Sequence, residues 1–465
     1  MATARREDLE MKIPALAHLS RLGYGYLTKV QLRGRDRETN FLPEVLKEAA
    51  ERINGVAIDP GRWARLLAEM RAQLEEDDLG RRFYGTLRDG WDGLKLIDYD
   101  RPENNAFQSA AELACGSGAG SFRPDITLFI NGLPLAMIEV KTRQRPQGLR
   151  AEYDRMLERF RSREGRRYLQ CAQIWAFSND RAEDPYRLTP AEGAFFATGM
   201  TEDIPLYAVR GTRGKRGGLA PRNEAEERRI LADNGLAEMP RGREYRRNLS
   251  PGKATHRMLT ALFQPERFLF LLRYGIRYIR EMNPAGATTL TRRMLTMDQL
   301  AVLERLKKKA ARGYRNWTAP SRGAAGEQAA NASLVALTRD LAPGARVYWV
   351  SEDAAALKRD RAALKACGIP CALPGDNGAA DPGAVILMVA EGAVGYEGRG
   401  GDDDRRPRVF ILPPPLPRYG EKGGFPARLR RAEPEAILVT RTAERTVENR
   451  QRILLTGETM MYYTR

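Results

Sequence analysis

Two apolar runs that flank the dipeptide Asn131-Gly132 constrain this chain more than any other feature of its sequence. Residues 126–130 read Ile-Thr-Leu-Phe-Ile, and residues 133–140 read Leu-Pro-Leu-Ala-Met-Ile-Glu-Val. Asn-Gly between two apolar runs is a strong hairpin signal, because both residues accept the positive φ that a tight turn requires. The sequence therefore predicts two antiparallel strands over residues 125–141.

Charged residues lie inside this apolar hairpin. Glu139 and Lys141 are two residues apart, so they share one face of a strand while their apolar neighbours share the other. A two-residue turn would place Asp125 opposite Ile138, on the wrong face. An odd-length loop, with Gly132 in the left-handed region and a bulge, would place Asp125 beside the other two charges. We predict this odd register.

Metal-dependent cleavage of a phosphodiester would explain such a set. Two carboxylates and a main-chain carbonyl supply the oxygen ligands that Mg²⁺ prefers, and the metal lowers the pKa of a bound water. A neighbouring lysine offsets negative charge in the transition state. The spacing predicts Asp125, Glu139 and Lys141 as catalytic residues, with the two acids as ligands of Mg²⁺ or Mn²⁺. The alternative is a surface hairpin in which Glu139 and Lys141 are cross-strand partners.

The pattern around the hairpin is that of an α/β domain with a small mixed sheet. Residues 1–110 are predicted to be mostly helical, because apolar residues recur at helical spacing. Turn residues and short apolar runs mark the strands. The individual predictions are helices near 41–53, 60–77 and 148–163, and strands over 94–99 and 171–177.

The second half of the chain changes character. Residues 208–253 are rich in Arg, Gly and Pro, which indicates either a solvated linker or a loop that faces nucleic acid. Residues 255–312 are predicted to be helical. From about residue 313, short apolar runs alternate with helical stretches, which is the pattern of a doubly wound parallel sheet.

Composition limits the partners and the compartment. The chain has 77 Lys and Arg against 60 Asp and Glu, a net charge of +17, which favours a polyanion such as double-stranded DNA over a merely basic soluble protein. It has only 4 Cys and 2 His, and we find no secretory signal and no apolar run long enough to span a membrane. We expect a cytoplasmic protein with no membrane association.

The segment from Arg123 to Lys141 resembles the nuclease motif of the motor (R) subunit of type I restriction enzymes, which has a PD-(D/E)xK fold. Three other segments resemble that family in the same order along the chain: residues 96–107, 189–197 and 262–269. The resemblance implies metal ligation by Asp125 and Glu139 and a catalytic role for Lys141. It also implies a Gln and a Tyr on the next helix, where this chain has Met156 and Phe160.

An acidic residue on the first helix, Glu10, is a candidate to complete the site, although a solvent-facing charge is the more conservative interpretation of Glu10. In the family, two helicase lobes that hydrolyse ATP follow the nuclease, and only the first would fit in this chain. The family's phosphate loop should carry Lys followed by Ser or Thr, whereas this chain has Glu327 and Gln328. A carboxylate at that position repels phosphate.

Two further nucleotide motifs are changed. Leu412 and Pro413 stand at the two acidic positions of the family's Asp-Glu-Ala-His motif, and residues 440–443 read Thr-Arg-Thr-Ala in place of Thr-Gly-Thr-Pro. We therefore predict a degenerate RecA-like lobe that does not hydrolyse ATP. An unrelated α/β domain is the alternative.

Together these patterns predict a Mg²⁺-dependent DNA endonuclease that acts with protein partners in antiphage defence. The alternative is a non-catalytic DNA-binding or scaffold subunit of a restriction-like complex, which the lost Gln, Tyr and ATP motifs favour. The predicted domains are a nuclease domain over 1–205, a basic linker over 206–254, a helical connector over 255–312 and the pseudo-helicase lobe over 313–465.

Overall fold

Contacts divide the chain into two compact units, Met1–Arg273 and Tyr274–Arg465. This division and all that follows come from a computed structural model. It describes residues 7–116, 121–142, 148–180, 194–197, 207–208, 219–239, 242–282, 286–320, 327–374, 381, 383–390, 406–413 and 425–442.

The first unit begins with helices, as its apolar spacing predicts. A π-helical turn, Asp8–Lys12, leads into the first α-helix. The predicted helices near 41–53 and 60–77 are confirmed as Pro43–Asn54 and Pro60–Glu75; each begins with proline, which suits the first turn of a helix. The helices of this unit are α1 (Ile13–Arg21), α2 (Pro43–Asn54), α3 (Pro60–Glu75), α4 (Arg81–Asp89), α5 (Gly148–Arg161), α6 (Arg163–Cys171), α7 (Glu224–Asp233), α8 (Arg243–Asn248), α9 (Ala254–Phe263) and α10 (Pro265–Phe270).

A mixed sheet of seven strands lies against these helices, in the order of the chain. The first and second strands pair in parallel, as do the fourth and fifth, and the other pairs are antiparallel. The predicted mixed sheet is therefore confirmed. Its strands are β1 (Gly25–Tyr26), β2 (Phe107–Ala111), β3 (Ile126–Ile130), β4 (Leu133–Val140), β5 (Ile174–Ser178), β6 (Ala194–Ala197) and β7 (Tyr207–Ala208).

The predicted hairpin is β3 and β4, joined by a two-residue turn at Asn131-Gly132. Both turn residues have positive φ, 52° and 77°, which defines the tight turn that Asn-Gly favours. The turn is buried: a Cβ on Gly132 would lie 2.7 Å from the main-chain oxygen of Leu42, so only glycine fits. Hence this turn fixes where α2 packs.

The short strand predicted over 94–99 is wrong; these residues form a loop. Side-chain amides bond to its backbone in place of a neighbouring strand. The Asn54 side chain bonds to both main-chain groups of Lys95, and Asn131 Nδ2 donates to the oxygen of Leu96 at 2.8 Å. The strand that does pair with β3 is β2, which begins at Phe107.

The region predicted as a linker contains two helices, α7 and α8, within the first unit. The helical connector predicted over 255–312 is wrong in its middle part. There β8 (Ile276–Met282) and β9 (Thr288–Met294) form an antiparallel hairpin that belongs to the second unit. Its two strands contain two isoleucines, three threonines and a tyrosine, which are β-branched and aromatic residues that favour strands.

The second unit contains a fully parallel six-stranded sheet, as predicted from residue 313 onward. Its strand order is β10-β15-β14-β11-β13-β12, and three of its helices lie between β10 and β11, between β11 and β12, and between β14 and β15. The elements are α11 (Met297–Ala310), β10 (Asn316–Pro320), α12 (Glu327–Leu341), β11 (Arg346–Ser351), α13 (Ala354–Ala366), β12 (Cys371–Ala372), β13 (Val385–Val389), β14 (Arg408–Leu412), α14 (Phe425–Ala432) and β15 (Ile437–Thr442).

Candidate functional site

The register of the hairpin brings Asp125 to Glu139. The turn has two residues, so the odd-length loop that we predicted is wrong. The required shift comes instead from a bulge inside the strands: Leu128 pairs with Ala136, whereas Phe129 pairs with Pro134. The bulge lies next to proline, which cannot donate to the ladder. Beyond it Ile126 pairs with Ile138, so Asp125 comes opposite Glu139, as the hypothesis requires.

The three predicted residues meet at the ends of β3 and β4. Lys141 Nζ lies 3.1 Å from Asp125 Oδ2 and 3.2 Å from Glu139 Oε2. Asp125 Oδ2 also accepts the main-chain N–H of Val140 at 2.9 Å. Glu139 and Lys141 are almost entirely buried, whereas the Asp125 side chain is 20% exposed, so the cluster opens to solvent on the Asp125 side.

Burial and close charges shift the protonation equilibria of this cluster. Burial, followed by the Asp125 carboxylate, raises the pKa of Glu139 to about 8, although the Lys141 ammonium opposes the shift. Burial alone would lower the pKa of Lys141. The surrounding acidic groups raise it by more than burial lowers it, so the net pKa is above its ordinary value. Lys141 is therefore a cation, and the ionised form of Glu139 is disfavoured in this environment.

The cluster fits a hard divalent cation. Glu139 Oε1 is buried and has no hydrogen-bond partner, which is the position of a ligand oxygen that awaits a cation. Mg²⁺ is commonly held by one or two carboxylates, with waters and substrate phosphates completing its shell. Asp125 and Glu139 provide those two carboxylates. Within the described ranges, no group of three or more His, Cys, Asp and Glu side chains is arranged for a metal.

The first helical segment contributes an acid that we did not predict. Glu7 Oε1 lies 3.7 Å from Lys141 Nζ, and Glu7 Oε2 accepts the main-chain N–H of Thr142 at 3.5 Å. Glu10, the residue predicted for this role, lies about one turn further along, and its main-chain oxygen accepts from Lys253 Nζ at 3.4 Å. The sequence indicated the correct segment, but nothing in it distinguished Glu7 from the other acids there.

A second buried lysine supports the site from beside it. Lys12 Nζ lies 2.6 Å from Asp8 Oδ1 and 2.5 Å from Glu112 Oε1. Burial alone would lower the pKa of Lys12. Asp8 and Glu112 raise it by more than burial lowers it, so the net pKa is above its ordinary value. Glu112 has a positive φ of 47°, and its N–H donates to the Asp125 main-chain oxygen at 3.2 Å. The Lys12 ion pairs thus hold the strained residue beside Asp125.

Met156 and Phe160, at the positions where the resemblance implies Gln and Tyr, are buried in the apolar core of the first unit. They share that core with Trp175 and Phe177 of β5. These two positions of α5 therefore contribute apolar packing, and neither an amide nor a hydroxyl.

Part of the first unit is similar to a known protein family. Residues 5–183 match the family model described as the type I restriction enzyme R protein N terminus. The resemblance predicted from the sequence is thereby confirmed for this region. The matched segment contains Glu7, Lys12, Asp125, Glu139 and Lys141, and it ends within the first unit.

Two relatives from Methanocaldococcus jannaschii are named as type I restriction enzyme endonuclease subunits. The MjaVIIIP protein is 50% identical over 48 residues, which is 10% of this chain and 5% of the relative. The MjaVIIP protein is 46% identical over 48 residues, which is 10% of this chain and 4% of the relative. The matches thus span only a small part of these curated relatives.

The predicted remnants of a nucleotide site lie at one edge of the parallel sheet in the second unit. Glu327 and Gln328 begin α12, and Leu412 and Pro413 end β14, where both are buried. Residues 321–326, where the sequence predicts a degenerate phosphate loop, lie outside the described residues. These four positions supply neither the lysine that contacts phosphate in a functional loop nor the two adjacent acidic residues of a nucleotide site.

Arg441, at the end of β15, lies at the same edge of the sheet and contacts the ends of two neighbouring strands. Its guanidinium donates to the main-chain oxygens of Leu412 at 3.2 Å and Val350 at 3.4 Å. It also lies 4.2 Å from the centre of the Trp349 ring and 3.8 Å from Asp360 Oδ2. The sequence showed Arg441 only as a departure from a glycine, and its contacts with the ends of two strands were not predictable from that.

Among the described residues, no helix combines the length and the apolar character needed to cross a bilayer.

Proposed function

We propose that this protein is a Mg²⁺-dependent DNA endonuclease with Asp125, Glu139 and Lys141 as its catalytic residues. One observation carries the proposal: two carboxylates and a lysine converge at the end of a buried hairpin, and one carboxylate oxygen there has no partner. The match of residues 5–183 to the R-protein N terminus supports it independently.

Each residue has a distinct task in this proposal. Asp125 and Glu139 would hold Mg²⁺ or Mn²⁺, which polarises the phosphate and lowers the pKa of a bound water. The Val140 N–H donates to Asp125 Oδ2 and keeps this side chain in place beside Glu139. Lys141, cationic beside both acids, would orient the attacking water and offset the charge that develops on the phosphate. Glu7, 3.7 Å from Lys141, would help to keep that ammonium protonated.

The proposal extends to the rest of the chain. The second unit would be a degenerate RecA-like lobe without ATP hydrolysis, which is supported by its parallel sheet and by Glu327, Leu412 and Arg441 at the sheet edge. Without a motor of its own, the chain would cut where it binds double-stranded DNA, or where protein partners bring it. Defence against foreign DNA in the cytoplasm, with a restriction-like complex as the partner, is the corresponding biological role.

Cleavage of supercoiled plasmid tests the proposal. The natural chain should nick or linearise plasmid with Mg²⁺ and without ATP, and Asp125→Ala should reduce the rate at least about 100-fold. Asp77→Asn, at an exposed carboxylate of the same unit, is the matched control and should leave the rate unchanged. Equal cleavage by the natural chain and Asp125→Ala would place the activity elsewhere.

Binding of Mn²⁺, measured by titration calorimetry, gives a readout that does not depend on cleavage. The natural chain should bind the ion, and Glu139→Gln should bind it at least about tenfold more weakly. Equal binding by both chains would remove Glu139 from the metal site.

A non-catalytic DNA-binding subunit remains a second candidate. It is favoured by Met156 and Phe160, which occupy the helix positions where the resemblance implies polar groups. If this candidate is correct, the natural chain should bind duplex DNA but leave plasmid intact with either metal. The same plasmid assay, paired with a gel-shift measurement, distinguishes the two functions.

A further inference from the structure

Three arginines on α8 form an exposed basic face. Arg243, Arg246 and Arg247 are exposed, whereas Tyr245 and Leu249 of the same segment are buried. At about 100° per residue, the three arginines lie within an arc of about 100° opposite the buried side. This arrangement directs three guanidinium groups outward in one direction. We call these three residues the α8 basic face.

The α8 basic face lacks acidic partners. Among the described residues, no ion pair or side-chain hydrogen bond engages Arg243, Arg246 or Arg247. The preceding helix, α7, shows the opposite arrangement, because Arg228 and Arg229 pair with glutamates three or four residues before them. A helix whose arginines are already paired has little to offer a phosphate, whereas unpaired guanidinium groups remain available for bidentate contacts.

Helix α8 is tied to the candidate catalytic site. It packs against the π-helical turn Asp8–Lys12, which directly follows Glu7. Lys253 Nζ connects the same elements: it lies 3.3 Å from Asn248 Oδ1 at the end of α8, 3.4 Å from the Glu10 main-chain oxygen and 3.2 Å from Asp180 Oδ2.

A further series of contacts joins α8 to the catalytic strand. Asp180 accepts the Thr255 N–H at 3.1 Å, and the Thr255 hydroxyl bonds to the Ser178 hydroxyl at 2.8 Å. The main-chain oxygen of Ser178 in turn accepts the Lys141 N–H at 2.8 Å. The position of α8 is therefore fixed relative to the proposed catalytic lysine by buried polar contacts, and it cannot shift freely.

We propose that the α8 basic face binds the phosphate backbone of duplex DNA and positions the strand that is cut at Asp125, Glu139 and Lys141. The inference rests on the proposed nuclease function and assigns a substrate-binding surface to it. The contacts are with phosphates, so they would be independent of base sequence and sensitive to salt. Glu244 is the only carboxylate on the helix, and it lies outside the arc of arginines.

The test is salt-dependent binding of the full chain to a fluorescein-labelled DNA duplex, measured by anisotropy in EDTA so that no cleavage occurs. The triple variant Arg243→Gln/Arg246→Gln/Arg247→Gln should bind at least about tenfold more weakly near physiological salt. Its slope of log affinity against log salt should fall by about 2 to 3, because each phosphate contact contributes about 0.9. The matched control, Arg33→Gln/Arg37→Gln/Arg65→Gln, removes three exposed arginines from other elements of the same unit and should change the slope by less than about 1.

Equal losses in the two triple variants, or no binding of duplex by the natural chain, would overturn the α8 assignment. Failure of the nuclease proposal has a different signature: Mg²⁺ would not support cleavage by the natural chain, while the difference between the two triple variants in EDTA would remain. If the nuclease is active, the α8 variant should show a raised KM with little change in kcat, since the arginines would contact phosphates and not the reacting atoms.

Discussion

The two units each bury a cation at the edge of a sheet, and the two cations are used in opposite ways. Lys141 of the first unit contacts Asp125 and Glu139, and a neighbouring carboxylate oxygen is left without a partner. Arg441 of the second unit is engaged by main-chain oxygens, by an aromatic ring and by Asp360.

The two cations differ in what surrounds them. Beside Lys141 a carboxylate oxygen has no hydrogen-bond partner and suits a ligand, whereas the groups around Arg441 are bonded to the chain itself. A buried, unpartnered carboxylate oxygen costs free energy, and a folded chain retains such a group where a ligand completes its bonding. Arg441 leaves no such vacancy, because its guanidinium satisfies the carbonyls that end β11 and β14. In our proposal the first sheet edge accepts a metal ion, whereas at the second the Arg441 guanidinium bonds to carbonyls at the strand ends.

Removing Arg441 should therefore cost stability. We expect Arg441→Met to lower the free energy of unfolding of the second unit by about 3 kcal/mol, because Asp360 and two buried carbonyls lose a partner. Urea denaturation followed by Trp fluorescence measures the loss. Arg359→Met, at an exposed position of α13, is the control and should cost less than about 0.5 kcal/mol. Similar losses in both variants would mean that Arg441 is not a structural element.

Removing Lys12 tests whether its ion pairs with Asp8 and Glu112 support the candidate site of the first unit. Lys12→Met should destabilise the first unit by about 2 kcal/mol, because Asp8 and the strained Glu112 would lose the ammonium between them. Plasmid cleavage should also fall, since Glu112 bonds to the main chain of Asp125. Lys47→Met is the control: its ammonium is 3.9 Å from Glu51 at a half-exposed site, so its loss should cost less than about 0.5 kcal/mol. Unchanged cleavage by Lys12→Met would remove this support from the site.

Both histidines of the chain lie in the first unit, and they make its stability sensitive to acid. His18 and His256 stack at 4.5 Å, and burial lowers the pKa of His18 to about 2 and that of His256 to about 4. Above pH 6.5 both are neutral in the folded and unfolded states. As the pH falls below 6.5 only the unfolded chain gains protons, so the first unit loses about 1 kcal/mol per histidine between pH 7 and pH 5.5.

Hydrogen exchange of α1 and α9, corrected for its intrinsic pH dependence, measures this loss locally. The measurement belongs in the Glu139→Gln background, because the raised pKa of Glu139 has the opposite effect on stability in the same pH range. Helix α12 of the second unit serves as the internal control and should keep its protection. Equal loss of protection in all three helices would show that the histidines are not responsible.

The sequence predicted the hairpin and its three charged residues because the evidence was local: an Asn-Gly turn and alternation along one strand. The bulge was predicted in the turn at Gly132, but it lies beside Pro134 inside the strands, since its position depends on how β2 and β5 pair on either side. Glu7 and Lys12 were missed because their role depends on where the first helical segment packs. The loop over 94–99 was mistaken for a strand, because its amide partners, Asn54 and Asn131, are far away in sequence.

The smallest expected effect concerns the predicted degenerate phosphate loop. The double variant Glu327→Lys/Gln328→Thr restores the two side chains that contact phosphate and Mg²⁺ in a functional loop. We nevertheless expect no ATP hydrolysis, with or without DNA, in a coupled phosphate-release assay. Leu412 and Pro413 still supply no carboxylate for a metal, and Arg441 remains bonded to the ends of the neighbouring strands.

The triple variant that adds Arg441→Gly separates these two obstacles. If the guanidinium alone closed the edge, this variant should bind a fluorescent ATP analogue that the double variant does not bind, yet it should still not hydrolyse ATP without the missing carboxylates. ATP hydrolysis by the double variant would contradict this expectation, because it would show that neither Arg441 nor the missing carboxylates prevent nucleotide chemistry in the second unit.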